Sequence, residues 1–269
     1  MRQIFPLDGD QAGPLLGPAD PLDAAARIRP PAASAEIDQL VRALGAIYAY
    51  PEGPWLRANM VTSVDGAVTV DGRSGGLSGA ADKLVFSVLR SLADVVLAGA
   101  GTVRAERYRQ AQADELWPQL RAGRPLPPIA VVTSRLDLDL GDRLFGPDGP
   151  RTIVLTTERA NAAKRAEAAR VADVVVAGPA SVTATAAVTE LRDRGFRRIL
   201  VEGGPSLLGQ LAAEGLLDEL CLTTSPLLEG GHAAGRILAS HDPAGRPAGL
   251  RLASLLEDGG ALLARYVRA

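Results

Sequence analysis

The sequence predicts an α/β fold: three layers around a mostly parallel central sheet, with an antiparallel C-terminal hairpin. Three observations predict it. Between about residues 94 and 224, short apolar runs alternate with stretches of helical spacing, the pattern of β-α units that feed a parallel sheet. Two of those runs end in glycine and pass straight into a helix start, at Gly99-Ala100-Gly101-Thr102-Val103 and at Glu202-Gly203-Gly204-Pro205. Near the C-terminus, strand-like segments at 250–256 and 261–267 flank Asp258-Gly259-Gly260 with no helix between them, which reads as a hairpin.

The 269 residues are enough for a substantial core, and the net charge of −2 gives no reason to expect a nucleic-acid or membrane surface as partner. Cys221 is the single cysteine and lies in an apolar run, so a buried thiol is expected and no internal disulfide can form. With only His232 and His241 beside it, no cysteine-histidine zinc site of the usual kind can be assembled, and no metal is expected. No apolar run approaches membrane-spanning length and no secretory signal pattern opens the chain, so a cytoplasmic protein is expected.

Residues 1–36, rich in Pro, Ala, Gly and Asp, read as an extended, partly ordered arm whose Ile4, Phe5 and Leu7 can dock on the body. A short amphipathic helix follows at 37–47, ended by a Tyr-Pro-Glu-Gly-Pro turn. Residues 55–61 form a strand that runs through Val61 and Thr62 into the turn at Asp65, and 67–70 form a second extended piece. The polar Gly-Ser loop from Asp71 to Gly79 is either a plain surface loop or a flap carrying hydroxyl donors such as Ser74 and Ser78. A helix from Gly79 to about Leu92 and a strand at 94–98 come next. Residues 110–128 read as a long surface excursion. Strands at 129–133, 152–155, 173–177 and 218–224 complete the parallel set, with helices at about 158–169, 183–193 and from Pro205 to about 214.

The chemistry concentrates at strand ends. Glycines at a strand-to-helix turn let a ligand approach the backbone, and the helix start offers free N–H groups and a positive dipole end; phosphate is the usual guest. Gly203 and Gly204, followed by Pro205, Ser206 and Leu207, fit either that role or a tight connection, and Glu202 stands at the carboxyl end of its strand. Gly99, Gly101 and Thr102 form a second such junction, with Arg104, Arg107 and Arg109 close behind. Ser134 and Arg135 end another strand and suit the 2′-phosphate of NADP, since a guanidinium meets phosphate as a planar fork. Asp65 is the one candidate for a catalytic group, its alternative being a turn aspartate bonded to nearby backbone.

Four segments occur together in a familiar order: Met60-Val61-Thr62-Ser63-Val64-Asp65-Gly66; the loop ending Leu77-Ser78-Gly79; Val96-Leu97-Ala98-Gly99-Ala100-Gly101-Thr102-Val103; and Leu200-Val201-Glu202-Gly203-Gly204-Pro205-Ser206-Leu207. Over about residues 50–267 the chain resembles the pyrimidine reductase family of riboflavin biosynthesis, whose fold is similar to dihydrofolate reductase. The resemblance implies a reductase domain at 37–269, NADPH as cofactor, and 5-amino-6-(5-phosphoribosylamino)uracil as substrate, with hydride delivered to C1 of the ribosyl group. It implies cofactor contacts at Thr102, Glu106, Ser134, Glu202 and the loop from Gly204, and substrate contacts at Ser74 and Arg90, with Arg107 and Arg109 competing for a further arginine role. Glu202→Ala is accordingly expected to raise the KM for NADPH more than that for substrate. The chain departs from the family where Glu106-Arg107-Tyr108 replaces an Asp-Asp-Pro motif and where Gly76 replaces a flap tryptophan. It has neither His-x-Glu nor Cys-x-x-Cys, so no deaminase activity is expected. A pterin-type reductase, with Asp65 or Glu106 as the ring-binding carboxylate, and a non-catalytic NADPH-binding protein are the alternatives. A homodimer is expected.

Overall fold

The structure is a computed structural model that describes residues 1–5, 35–230, 235–239 and 249–269. The expectations for residues 6–34, including docking of Leu7, and for His232 and His241 lie outside the described residues. In chain order the elements are β1 (Arg2–Phe5), α1 (Ala35–Ile47), β2 (Trp55–Ser63), α2 (Ala80–Leu92), β3 (Val95–Gly99), α3 (Ala100–Glu106), α4 (Pro118–Arg121), β4 (Ile129–Val132) and β5 (Thr152–Thr156). They continue with α5 (Ala162–Val171), β6 (Ala172–Val176), α6 (Ala184–Asp193), β7 (Arg198–Val201), α7 (Pro205–Ala213), β8 (Glu219–Ser225), β9 (Leu250–Asp258) and β10 (Ala261–Arg268).

The strands form one sheet in the order β1-β9-β10-β8-β2-β7-β3-β4-β5-β6. From β8 to β6 every neighbour is parallel. The pairs β1–β9, β9–β10 and β10–β8 are antiparallel. This is the expected mixed sheet, with the C-terminal hairpin bringing in β1 as its edge. Central strands such as β5 are buried throughout, because helices cover both faces. On one face Leu84, Val85, Val88 and Leu89 of α2 meet Leu40, Val41 and Leu44 of α1. On the other, Leu207, Leu208 and Leu211 of α7 pack with Val188 and Leu191 of α6.

Three expectations need correction. The segment 110–128 is not a surface excursion: Trp117 is 1% exposed and carries α4 against α2. Its indole Nε1 donates to Ser87 Oγ (2.8 Å) and its backbone N to Ser91 Oγ (2.9 Å), so a polar helix face takes up an anchor that local composition does not reveal. Residues 67–70 join no strand ladder. Ser63 and Ala67 close a turn instead, and Val70 bridges only to Arg73. Helix α5 begins four residues later than expected, where Asn161 Oδ1 accepts from Ala163 N and Lys164 N as a cap.

Candidate active site

The carboxyl ends of β2, β7 and β3 stand side by side in the middle of the sheet. From β3 the chain turns into α3, which packs on the α2 face; from β7 it turns into α7, which packs on the opposite face. Neighbouring strands that leave to opposite faces open a crevice at that point, the place where α/β sheets bind ligands. A cavity of about 350 Å³ lies there, lined from β2, the flap, α2, α3 and the β7–α7 turn.

The glycines are what let the two turns meet. Gly203 and Gly204 adopt φ of 129° and 88°, values that side chains resist. A Cβ on Gly203 would stand 3.2 Å from Thr102 Cγ2, and one on Gly204 3.4 Å from Gly99 Cα. Gly99 N donates to Gly203 O (3.2 Å), so both strand-end loops are tied together. The first-turn N–H groups of Ser206 and Leu207 have no partner within α7 and remain as donors. The Leu207 side chain itself is core, 5% exposed, so only its backbone belongs to the site.

Glu202 is held from the side. Arg90 Nε and Nη2 donate to its two carboxylate oxygens, each at 2.7 Å, and Tyr108 OH donates to Oε2 at 3.0 Å. The Arg90 guanidinium also lies over the Phe86 ring, 4.4 Å from its centroid. Burial pulls the Arg90 pKa down, but Glu202 more than offsets this and holds it above the ordinary arginine value. Burial, reinforced by Glu202, raises Tyr108 well above the ordinary tyrosine value, so the phenol stays protonated. Glu202 therefore offers no free carboxylate to a cofactor, and Arg90 is committed to Glu202 rather than open to a phosphate.

The other expected residues separate. Val61, Ser74, Ser78, Thr102, Glu106, Arg107, Arg109, Gly203, Gly204 and Pro205 all line the crevice. Glu106 Oε1 accepts from Ser74 N (2.7 Å), tying the flap to α3. Arg109 is paired with Glu115, whereas Arg107 has no ion pair among the described residues. Thr62 and Gly101 are not part of the lining, and neither are Ser134 and Arg135, which are exposed beyond the end of β4. Asp65 is also outside. It is exposed and accepts from Ser63 Oγ and from the backbone N of Glu229 and Gly230, contacts that lower its pKa to about 2, Ser63 first. It clamps a turn and does not line the crevice. Gly76 explains the missing flap tryptophan, because a Cβ there would sit 2.8 Å from Val70 Cβ.

Sequence reading missed Asn59, Asp82, Phe86 and Tyr108, which also line the crevice. A signal for two of them was present: Asp82, Phe86 and Arg90 repeat at four-residue spacing, a second stripe on α2 beside its apolar one. Among the described residues no cluster of potential metal ligands occurs, and no helix is long and apolar enough to cross a membrane.

A sheet of this topology with a glycine-lined crevice at its switch point defines an α/β protein that takes its ligands at the carboxyl ends of its central strands. The model of the RibD C-terminal domain matches residues 54–263, and the chain belongs to that family. It is 31% identical over 182 residues to a 2,5-diamino-6-ribosylamino-4(3H)-pyrimidinone 5′-phosphate reductase of Archaeoglobus fulgidus, covering 66% of this chain and 83% of the relative. It is 28% identical to the riboflavin biosynthesis protein RibD of Mycobacterium tuberculosis, over 66% of this chain and 44% of that one. Among solved structures, a pyrimidine reductase-like protein from Corynebacterium diphtheriae superposes with a TM-score of 0.73 at 26% identity, over 84% of this chain and 98% of that one. The chain is thus an oxidoreductase of the pyrimidine reductase type.

Proposed function

We propose that the chain uses NADPH to reduce a 5-amino-6-ribosylamino-pyrimidinone 5′-phosphate, the uracil being the ring form expected from sequence. The ribosylamine opens to its imine, C1 takes a hydride and the nitrogen a proton, and a ribitylamino chain results. The hydride is what NADPH supplies when bound. The observation that carries this reading is the crevice itself, with a glycine cradle on one side and the Glu202–Arg90–Tyr108 wall on the other. The glycine turn and the free first-turn N–H groups of α7 suit a cofactor phosphate. Exposed Ser134 and Arg135 at the same edge of the sheet suit a 2′-phosphate. With Arg90 and Arg109 already paired, Arg107 is the arginine left for the substrate phosphate. Glu202 and Tyr108 hold Arg90 rigid, and the flap tied by Glu106 keeps water from the reacting carbon. A homodimer through the C-terminal hairpin, where Leu250 and Leu262 are exposed, belongs to the same proposal, and light scattering would then give twice the chain mass.

The test is NADPH oxidation by the purified chain, offered the two ribosylaminopyrimidine phosphates (2-oxo and 2-amino) and dihydrofolate in parallel. Turnover of a pyrimidine alone is expected. Turnover of dihydrofolate alone, or of nothing, would overturn the reading.

A further inference from the structure

The proposed reaction consumes a proton as well as a hydride: when C1 of the imine is reduced, its nitrogen has to be protonated. The donor must line the crevice close to the glycine cradle and must hold its proton at neutral pH.

The crevice lining offers few such groups, and among the described residues no histidine. Glu202 and Glu106 both act as acceptors, the first from Arg90 and the second from Ser74 N. A guanidinium does not release its proton in a protein, which sets aside Arg90, Arg107 and Arg109. Serine and threonine hydroxyls are far weaker acids than a phenol. Asp82 stands at the β8 side, hydrogen-bonded to Thr223, and about 12 Å along α2 from Arg90. Tyr108 is the group that remains.

The end of α3 sets its position. Arg107 is left-handed (φ 53°), and its N–H and that of Tyr108 both reach Val103 O, the latter at 3.0 Å. This is a Schellman-type stop with an arginine where glycine is usual. The Asp-Asp-Pro pattern that the chain lacks would put a proline at 108, and a proline has no N–H for that bond. The stop therefore goes with the tyrosine, and it brings the phenol into the crevice wall. There the hydroxyl lies 3.0 Å from Glu202 Oε2 and 3.4 Å from Glu202 O, beside the Gly203–Gly204 turn. The Arg90 guanidinium lies 5.5 Å from the centre of the ring. A phenol carries one proton and turns freely about its C–O bond, so it can leave Glu202 for a ligand nitrogen while the ring stays in place. The charged groups facing it are Glu202 from the end of β7, Arg90 from α2 and Glu106 from α3 itself; burial first, then Glu202, hold the phenol protonated.

We propose that the Tyr108 hydroxyl is the proton donor of the reduction and protonates the imine nitrogen as hydride reaches C1. The inference rests on the proposed reductase reading and gives Tyr108 a chemical step beyond holding Arg90. The electron pair of the C1–N π bond moves onto the nitrogen, the phenolic O–H bond breaks, and its proton forms the new N–H. Water then returns a proton to the phenolate. Arg90 offsets the transient negative charge, and Glu202 beside the ring drives the proton's return.

The experiment follows single-turnover NADPH oxidation against pH in the wild type and in Tyr108→Phe, with whichever ribosylaminopyrimidine phosphate the wild type reduces. NADPH affinity and melting temperature are the controls. The wild-type rate should stay level between about pH 6 and 9, where the phenol keeps its proton. The variant should lose at least about tenfold at neutral pH and about tenfold more for each pH unit upward, because its proton then comes from hydronium. Heavy water should slow the wild-type single turnover, a measurement that needs no variant. The ultraviolet difference spectrum between the two proteins should show a phenol at neutral pH, not a phenolate. A folded, NADPH-binding variant that loses less than this, or loses the same factor at every pH, leaves Tyr108 as a positioning residue and overturns the proposal while the reductase reading stands. A wild type indifferent to heavy water, or with Tyr108 ionised at neutral pH, does the same. A wild type that reduces neither pyrimidine overturns both.

Discussion

Two buried glutamates, each gripped by arginine, occupy opposite ends of the same parallel strands. At the carboxyl end Glu202 meets Arg90 and Tyr108 on a crevice wall. At the amino end Glu219 of β8 meets Arg57 of β2 (2.7 Å) and Arg265 of β10 (2.8 Å), with Trp55 Nε1 donating as well (2.8 Å). Arg57 and Glu219 are both fully buried, and the Arg57 guanidinium lies 4.0 Å from the centre of the Tyr50 ring. Chemically the pairs are alike. The amino-end cluster is not part of the crevice lining and joins three strands across the parallel-to-antiparallel change, whereas the carboxyl-end pair borders the crevice. The function of an ion pair in this fold therefore depends on which end of the strands it occupies, and the two pairs should fail in different ways.

The largest effect is expected from Glu219→Ala. It leaves Arg57 buried without its counter-charge, a loss of about 3–5 kcal/mol, or about 10 °C in melting temperature. Denaturant unfolding checks it. The same cluster gives a pH signature. Burial pushes the Glu219 pKa up, but Arg57 and Arg265 pull it further down, so the net shift is downward. Its stabilisation is therefore complete above the ordinary value of 4.5 and drains away as pH falls through the lower folded value. Cys221 reports the opening: burial, first of all, pushes its thiol pKa up, so it should resist thiol reagents until this cluster unfolds.

Glu202→Gln should do the reverse. It loses a charged, bidentate partner worth about 1.5–3 kcal/mol, about 10- to 100-fold in kcat/KM. Because Arg90 is released with it, the NADPH and the substrate constants should suffer alike, rather than the NADPH constant more than the substrate constant as the sequence suggested. Gly203→Ala sharpens the same end: a side chain at φ 129° beside Thr102 costs about 1–3 kcal/mol of strain, read as weaker NADPH binding. The smallest effect belongs to Asp65→Asn, which loosens an exposed turn. A slight loss in melting temperature with unchanged kcat/KM is expected, and a large loss of turnover would restore Asp65 as a catalytic candidate.

The difference between the two ends also explains what the sequence could reveal. Glu202 was legible because the two glycines and the proline that give it a crevice follow it directly in the chain. The sheet was legible for the same reason, since each strand and its helix are local patterns. The partners were not: Arg90 comes from 112 residues away and Glu219 from 162 residues beyond Arg57. Trp117 looked like loop because its anchors, Ser87 and Ser91, sit on the polar side of another helix. Asp82 was hidden among charged helix residues until burial separated it from them.

The most direct test is one paired measurement: kcat/KM and melting temperature for Glu202→Gln and Glu219→Gln side by side. The account predicts that the first loses turnover by at least about tenfold with little change in stability, and that the second loses stability while its folded fraction keeps near wild-type turnover. Equal losses of turnover in both variants, or the reverse pattern, would contradict the assignment of the active site to the carboxyl end of the strands.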